Sequence, residues 1–260
     1  MTAMKHSIQK IDRLILMSSI TRVYKFYLTF KAFCKNKTIT PLRRGTKNIY
    51  SLKERFEFFQ SAQYFLQVNR INGVYMEFGC HEVSTFRMAL NTLGSHGKPN
   101  RVEKFIAFDS FEGMPEPECI DKQKIWRSGM NFTSLNTFRN ITKRDSYRVE
   151  AVKGYYYESL KKWRFPPSSR LAMAYIDCDY YSSTVDVLTF LEDKISHGTL
   201  LAFDDWDCYY SDPGRGQRKA FAEFKERLSS DFSFQYFRTI GTGGASFICL
   251  RNDISGTDVL

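Results

Sequence analysis

Short apolar segments alternate with amphipathic ones over most of the chain. The segments typical of strands, rich in β-branched and aromatic residues, are 74–79, 104–110, 149–154, 171–178, 199–206, 234–240 and 245–251. Helical periodicity over 84–93, 183–195 and 215–229 separates several of them, and 112–145 is a long insertion. This alternation predicts a parallel sheet wrapped by helices, with ligands bound beyond the carboxyl ends of the strands.

Acidic residues stand at or just before the ends of four of these predicted strands. They are Glu77, Asp109, Asp177 and Asp204. A single acid at a strand end often only caps the next helix, but four such acids converge on one crevice. Because gathered carboxylates repel one another, they need a cation or hydrogen-bond donors.

The acids of the fourth and fifth strands predict a metal site. Asp177, Asp204 and Asp205 offer only oxygen ligands, which suit a hard cation such as Mg²⁺, although a purely structural role is the alternative. Asp177 and Asp179 also form a D-x-D pattern, as in glycosyltransferases that bind a metal and a nucleotide-sugar. That alternative leaves the acid pair at 204–205 unexplained.

Basic charge is concentrated at the N-terminus. Residues 1–44 hold ten Lys and Arg and one acid, while the whole chain has a net charge of +10. Apolar and basic residues alternate at helical spacing over residues 22–35, which predicts a basic amphipathic extension over residues 1–45 ahead of one domain at 46–260. We expect its apolar stripe to bury against the chain's own domain or a second subunit of a homo-oligomer, with peripheral contact to an anionic membrane as a secondary role. Because the body is nearly neutral, no nucleic-acid partner is expected.

The lack of a recognisable targeting signal and the spacing of the cysteines favour a cytoplasmic protein. The longest uncharged stretch near the N-terminus, "LILMSSIT", is too short for a spanning helix, and no small-residue cleavage site follows it. The six cysteines are scattered without metal-ligand or paired spacing, as in reduced thiols. We expect a cytoplasmic location, with any membrane contact peripheral and at the inner face.

Five stretches of the chain carry a family resemblance. They are "EFGCHEVST" (77–85), "FDSFEGMPEP" (108–117), "VKGYYYESL" (152–160), "YIDCDYYSSTVDVLTFL" (175–191) and "GTLLAFDDW" (198–206). Together they resemble the macrocin O-methyltransferase (TylF-like) family, in order over residues 70–250. The resemblance implies the α/β class I methyltransferase fold, a Rossmann-like sheet of seven strands in the order 3-2-1-4-5-7-6. It also implies Mg²⁺-dependent methyl transfer from S-adenosylmethionine (SAM) to a hydroxyl, typically on a sugar, so the partner is a small-molecule or glycan acceptor.

The same resemblance implies roles for individual residues. The cofactor-binding set is Glu77, Gly79, Ser84, Asp109, Ser110, Tyr155, Tyr156 and Asp177. Within it, Glu77 and Gly79 face the methionine part of SAM, Asp109 accepts the ribose hydroxyls, and the two tyrosines line the adenine. The metal ligands are Asp177, Asp204 and Asp205, and the general base is Asp179. The loop 206–218, with Arg215 and Arg218, faces the acceptor.

The chain departs from the family pattern at one turn. Where E-F-G-x-x-x-G-G-S is usual, Val83 and Ser84 replace the two later glycines. Glycine allows close approach of backbone to cofactor, and a β-branched Val83 can still fit if its φ is negative. The departure leaves a third alternative, a catalytically inactive SAM-fold adaptor. A further open question concerns the aromatic residues of the insertion, which form either a lid or a satellite core: Trp126, Phe132, Phe138 and Tyr147.

Overall fold

The structure is a computed structural model that describes residues 43–94, 102–166 and 169–254, with side chains in the first helix from residue 52 onward. Over these residues the chain forms six α-helices: α1 Arg43–Val68, α2 Ser84–Thr92, α3 Leu135–Thr142, α4 Tyr156–Lys162, α5 Tyr181–Leu191 and α6 Gly216–Arg227. The strands are β1 Gly73–Phe78, β2 Val102–Asp109, β3 Val149–Lys153, β4 Leu171–Ile176, β5 Leu200–Phe203, β6 Phe232–Ile240 and β7 Gly244–Arg251. The chain divides into two compact units, Met1–Asn48 and Ile49–Leu260, and all contacts below lie within the second.

The seven strands form one sheet in the order β3-β2-β1-β4-β5-β7-β6. Strands β1 to β5 pair in parallel, and β7 runs antiparallel to both of its neighbours. This order confirms the predicted class I methyltransferase fold. It places the carboxyl ends of β1, β2, β4 and β5 at one edge of the sheet, where the predicted acids lie.

Alternate residues of the central strands feed two separate cores. In β1, Tyr75 packs into a cluster with the buried faces of α1, α2 and α3, whereas Met76 packs on the other face with α4, α5 and α6. Both side chains are fully buried. Because strand side chains alternate in direction, helices on both faces are needed to cover these strands.

The pattern of apolar residues missed three helices. Helix α3 lies inside the insertion and is capped at its N-terminus by Ser134, whose hydroxyl accepts a hydrogen bond from the Thr137 N–H at 3.1 Å. Helix α4 follows β3 after a short turn, and α1 crosses residue 45, where the sequence predicts a domain boundary. That boundary stays a prediction, and the amphipathic stripe of residues 22–35 lies outside the described residues.

Among the helices of residues 43–94, 102–166 and 169–254, none combines the length and the apolar character that crossing a bilayer requires. The five cysteines in this part of the chain are free thiols.

Candidate active site

The turn after β1 is built on a close approach of two backbones. Gly79 has φ +93°, and a Cβ at this position would lie 1.8 Å from the carbonyl oxygen of Asp177. The Asp177 N–H in turn donates to the carbonyl of Phe78 at 2.8 Å. Only glycine fits here, and the contact fixes the end of β4 beside the end of β1.

Asp109 joins this turn to the end of β2. Its carboxylate accepts hydrogen bonds from the backbone N–H groups of Cys80, at 2.7 Å, and Phe111, at 2.6 Å. Burial raises the pKa of Asp109, and these two hydrogen bonds act in the opposite direction. Each carboxylate oxygen keeps a further lone pair, so the group can accept additional donors.

A cavity of about 430 Å³ opens beside these two turns. Seven predicted site residues line it: Gly79, Asp109, Ser110, Tyr155, Tyr156, Asp177 and Asp179. The insertion supplies another part of its wall, including Gly113, Met114 and Asn131. The structure therefore brings most of the predicted cofactor set together around one space.

Two predicted cofactor residues lie apart from the cavity lining. Glu77 is fully buried, and its carboxylate accepts hydrogen bonds from the hydroxyls of Tyr75 and of Thr85, the latter at 2.7 Å. Burial raises the pKa of Glu77 to about 8, although both hydrogen bonds lower it. Ser84 is the first residue of α2. The side chain of Glu77 thus connects β1 to α2 next to the turn that follows β1.

The condition under which Val83 was expected to fit, a negative φ, is not met in the structure. Val83 has φ 58° and Glu82 has φ 57°, so two consecutive residues are left-handed just before α2. The Val83 side chain is completely buried in the core with α1 and α2. A glycine at this position would avoid the steric cost of the left-handed conformation, whereas valine offsets it by apolar burial.

Three aspartates meet beyond β4 and β5. Ligand oxygens of Asp177, Asp204 and Asp205 all lie within 4.8 Å of one another, and the three residues are half-buried. Burial and then the neighbouring carboxylates raise the pKa of Asp177 and of Asp205 well above the usual value. Such a set of oxygens fits a hard divalent cation.

Asp179 lies next to this cluster in a left-handed conformation, with φ 59°. Its N–H donates to Oδ2 of Asp205 at 3.0 Å, and its own Oδ2 accepts from the side-chain amide of Asn131 at 3.2 Å. Burial raises the pKa of Asp179 to about 6, while the hydrogen bond from Asn131 lowers it. Asn131 comes from the insertion and was not predicted.

Three further residues, which were not singled out from the sequence, hold Asp204 and Asp205. Arg55, on α1, forms a two-point ion pair with Asp204, and the Tyr175 hydroxyl donates to the same carboxylate. On the other side, buried Gln217 accepts from the Asp205 N–H and donates to the carbonyl of Ile176, both at 3.0 Å. The pattern of strand-end acids signals neither Arg55 nor Gln217, because both lie on helices.

Asp121 anchors the insertion to the start of α5. The fully buried Asp121 carboxylate accepts from the Tyr181 N–H and the Ser182 hydroxyl, both at 2.6 Å. Arg215 donates to the carbonyls of Ile120 and Lys122 at 3.2 Å. These hydrogen bonds hold the insertion against the start of α5 and against the residue that precedes α6.

The aromatic residues of the insertion differ in how far they are buried. Phe138 is fully buried in the main core, and Trp126 packs edge-on against Tyr209 at 5.3 Å. Phe132 and Tyr147 are 55% and 69% exposed. Part of the insertion is therefore core, and part of it faces solvent.

The two arginines predicted to face the acceptor hold this region together, and Arg218 lies on α6 rather than in a loop. Arg215 also stacks on Tyr209 at 4.7 Å, and Arg218 donates to the carbonyl of Trp206 and to Asp207. That these side chains face an acceptor stays a prediction.

Solved structures share this fold. The O-methyltransferase NovP is 20% identical to the chain, covering 76% of this chain and 80% of that one with a TM-score of 0.59. The calicheamicin methyltransferase CalS11 is 21% identical, covering 74% of this chain and 78% of that one with a TM-score of 0.56. At these identities the likeness shows the fold. No match was found among curated protein sequences.

A family profile carries the assignment further. The profile of the macrocin O-methyltransferase (TylF) family matches residues 49–231, which include every predicted site residue and most of the chain. Methyl transfer is thereby favoured over both the glycosyltransferase and the inactive-adaptor alternatives. The chain belongs to the macrocin O-methyltransferase (TylF) family and is a SAM-dependent O-methyltransferase.

Proposed function

We propose that this enzyme methylates a sugar hydroxyl and that the reaction requires a divalent cation such as Mg²⁺. The observation that carries the proposal is the cluster of Asp177, Asp204 and Asp205, whose oxygens lie within 4.8 Å of one another. Asp177, which follows β4, and Asp109, at the end of β2, also line the same cavity. The cation site and the cofactor site that we propose therefore share Asp177.

We assign the cofactor end of the cavity to the turns after β1, β2 and β3. The spare lone pairs of Asp109 suit the two ribose hydroxyls of SAM, since its other acceptor positions are filled by backbone N–H groups. Tyr155 and Tyr156 offer aromatic surface for the adenine. Gly79 lets the methionine part lie close to the backbone.

We assign the reacting end to Asp179 and the aspartate cluster. A divalent cation held by the three aspartates would polarise the acceptor hydroxyl and lower its pKa. Asp179 accepts the hydroxyl proton through Oδ1, while Asn131 holds Oδ2. The acceptor oxygen gains the methyl group, and the methyl–sulfur bond breaks to leave neutral S-adenosylhomocysteine. The chain's contribution is to hold both reactants in line and near one base.

A sugar acceptor is supported by the relatives. The family is named for a macrocin O-methyltransferase, and one structure of CalS11 is described as a TDP-rhamnose 3'-O-methyltransferase. The acceptor classes we propose are nucleotide-sugars, surface glycans and glycosylated metabolites. All of them offer vicinal hydroxyls, which suit a cation site with three protein ligands.

Formation of S-adenosylhomocysteine over a panel of nucleotide-sugars, glycosides and hydroxyl compounds without a sugar tests this proposal. The assay is run with Mg²⁺ and after exhaustive EDTA treatment, using the full chain and Asp177→Asn. We expect turnover of at least one acceptor that EDTA abolishes and Mg²⁺ restores, and no turnover by Asp177→Asn. Turnover that survives EDTA undiminished would contradict the metal requirement. Turnover confined to acceptors without a sugar would contradict the acceptor class.

A further inference from the structure

Asp204 is held by three hydrogen bonds that leave one acceptor position open. Arg55 Nε donates to Oδ1 at 3.0 Å, Arg55 Nη2 donates to Oδ2 at 2.6 Å, and the Tyr175 hydroxyl also donates to Oδ1. A carboxylate oxygen has two lone pairs, so Oδ1 is saturated by these contacts. Oδ2 keeps one lone pair for a further partner. The two-point contact also fixes the plane of the carboxylate, which a single donor would not do.

Arg55 is itself held in place by the packing of α1. The helix buries Phe58 and Phe59 against the sheet, and the ring of Phe59 stacks on that of Tyr175 at 5.5 Å. The Arg55 side chain is only 24% exposed. Burial alone would lower the pKa of Arg55. The hydrogen bond and the charge of Asp204 outweigh that effect and raise the pKa, so the guanidinium stays charged. Arginine, aromatic ring and aspartate thus form one packed unit.

We propose that Arg55 is a positioning residue for the cation site, which presents Oδ2 of Asp204 as a single-oxygen ligand. The inference rests on the proposed function, because it needs a cation between Asp177, Asp204 and Asp205. The opposite role would be competition, with the guanidinium taking the place of the metal. For that, Arg55 and the Tyr175 hydroxyl would both have to leave Asp204 before a cation bound. The open lone pair on Oδ2 makes such a departure unnecessary.

Lysine and glutamine variants separate geometry from charge. Arg55→Lys keeps the positive charge and loses the fork, whereas Arg55→Gln loses both. If Arg55 positions Asp204, both variants weaken cation binding by about 10- to 100-fold, as substitutions behind metal ligands commonly do. If Arg55 competes with the cation, Arg55→Gln tightens binding because one positive charge is removed.

Calorimetric titration of Mn²⁺ into the full chain measures this directly, without any acceptor. The variants are Arg55→Lys, Arg55→Gln and Tyr175→Phe, with the exposed Arg87→Lys as a matched control. SAM affinity and thermal unfolding of each variant are measured in parallel to detect loss of fold. We expect the Arg55 variants to bind Mn²⁺ at least tenfold more weakly, Tyr175→Phe to bind it severalfold more weakly, and Arg87→Lys to match the unmodified chain.

Each possible result either supports or overturns the positioning role of Arg55. Unchanged Mn²⁺ affinity in Arg55→Lys, or tighter binding by Arg55→Gln, would overturn the positioning role while leaving the metal site intact. Absence of Mn²⁺ binding in the unmodified chain would instead overturn the metal requirement of the proposed function, and the positioning role with it. If the Arg55 variants unfold, Tyr175→Phe carries the test, because it removes one donor to Asp204 and keeps the aromatic packing.

Discussion

The side-chain amide of Asn131 lies 3.2 Å from Oδ2 of Asp179. Asn131 belongs to the long insertion between β2 and β3, whereas Asp179 follows β4, so one hydrogen bond connects a cavity wall to the proposed general base. Asn131 has φ 57° and Asp179 has φ 59°, and asparagine and aspartate tolerate this left-handed conformation better than most residues. The contact therefore depends on backbone geometry at both ends.

Asn131→Ala is expected to slow methyl transfer by up to about tenfold, the effect of losing one hydrogen bond that orients a carboxylate. SAM affinity should stay unchanged, because Asn131 contacts the proposed base rather than the turns to which we assign the cofactor. Steady-state kinetics with the acceptor found in the panel, together with calorimetry of SAM, measure both quantities. Asn69→Ala, at an exposed site on another face, is the control. An unchanged kcat would show that Asp179 needs no support from the insertion.

Substitutions at Val83 test the left-handed turn. Glycine ordinarily destabilises a chain relative to alanine, but at φ 58° a Cβ costs about 1–2 kcal/mol. Val83→Gly should therefore be more stable than Val83→Ala by about 1 kcal/mol, although both lose the buried valine side chain. Urea denaturation gives the free energy of unfolding of each variant. The matched pair Arg87→Gly and Arg87→Ala, at an exposed position inside α2, should show the usual opposite order. The same order at both positions would contradict the turn geometry.

Much of this site follows from the pattern of the sequence, and the reason is geometrical. Strand ends of a parallel sheet meet at one edge, so Asp109, Asp177 and Asp204 could be placed together from their positions alone. The left-handed conformation of Val83 could not be predicted from its position in the sequence. It depends on the burial of the valine side chain in the core, which is a property of the folded chain. The local sequence of E-V-S carries no such signal.

The supporting residues were missed for a different reason. Arg55 and Asp204 are 149 positions apart, and Asn131 lies in an insertion without regular periodicity. A signal for Arg55 did exist, because it shares a helix face with buried Phe58, Phe59 and Ala62 at spacings of three, four and seven residues. A cation on the buried face of an amphipathic helix requires an anionic partner, and the strand-end acids were the available candidates.

The raised pKa of Glu77 predicts that the free energy of unfolding depends on pH. Burial raises its pKa to about 8 in the folded protein from 4.5 in the unfolded chain, so the folded state binds the extra proton between these values. Stability from this group is complete below pH 4.5 and is lost as the pH rises towards 8. The free energy of unfolding of Glu77→Gln, relative to the unmodified chain, should therefore rise by about 1.4 kcal/mol per pH unit within the window. Urea denaturation from pH 5 to 8 measures the difference, with exposed Glu103→Gln as the control. A constant difference across this range would mean that Glu77 is ionised throughout.

We propose that SAM occupies the cavity and that Asp109 accepts its ribose hydroxyls. Calorimetric titration of SAM into the unmodified chain, Asp109→Ala and Glu103→Ala tests it most directly, because Glu103 is an exposed acid on the same strand. Titration of Mn²⁺ into the same three proteins checks that the aspartate cluster is intact. We expect Asp109→Ala to lose most of its SAM affinity and to keep its Mn²⁺ affinity, while Glu103→Ala keeps both. Equal SAM affinity in Asp109→Ala and the unmodified chain would contradict it.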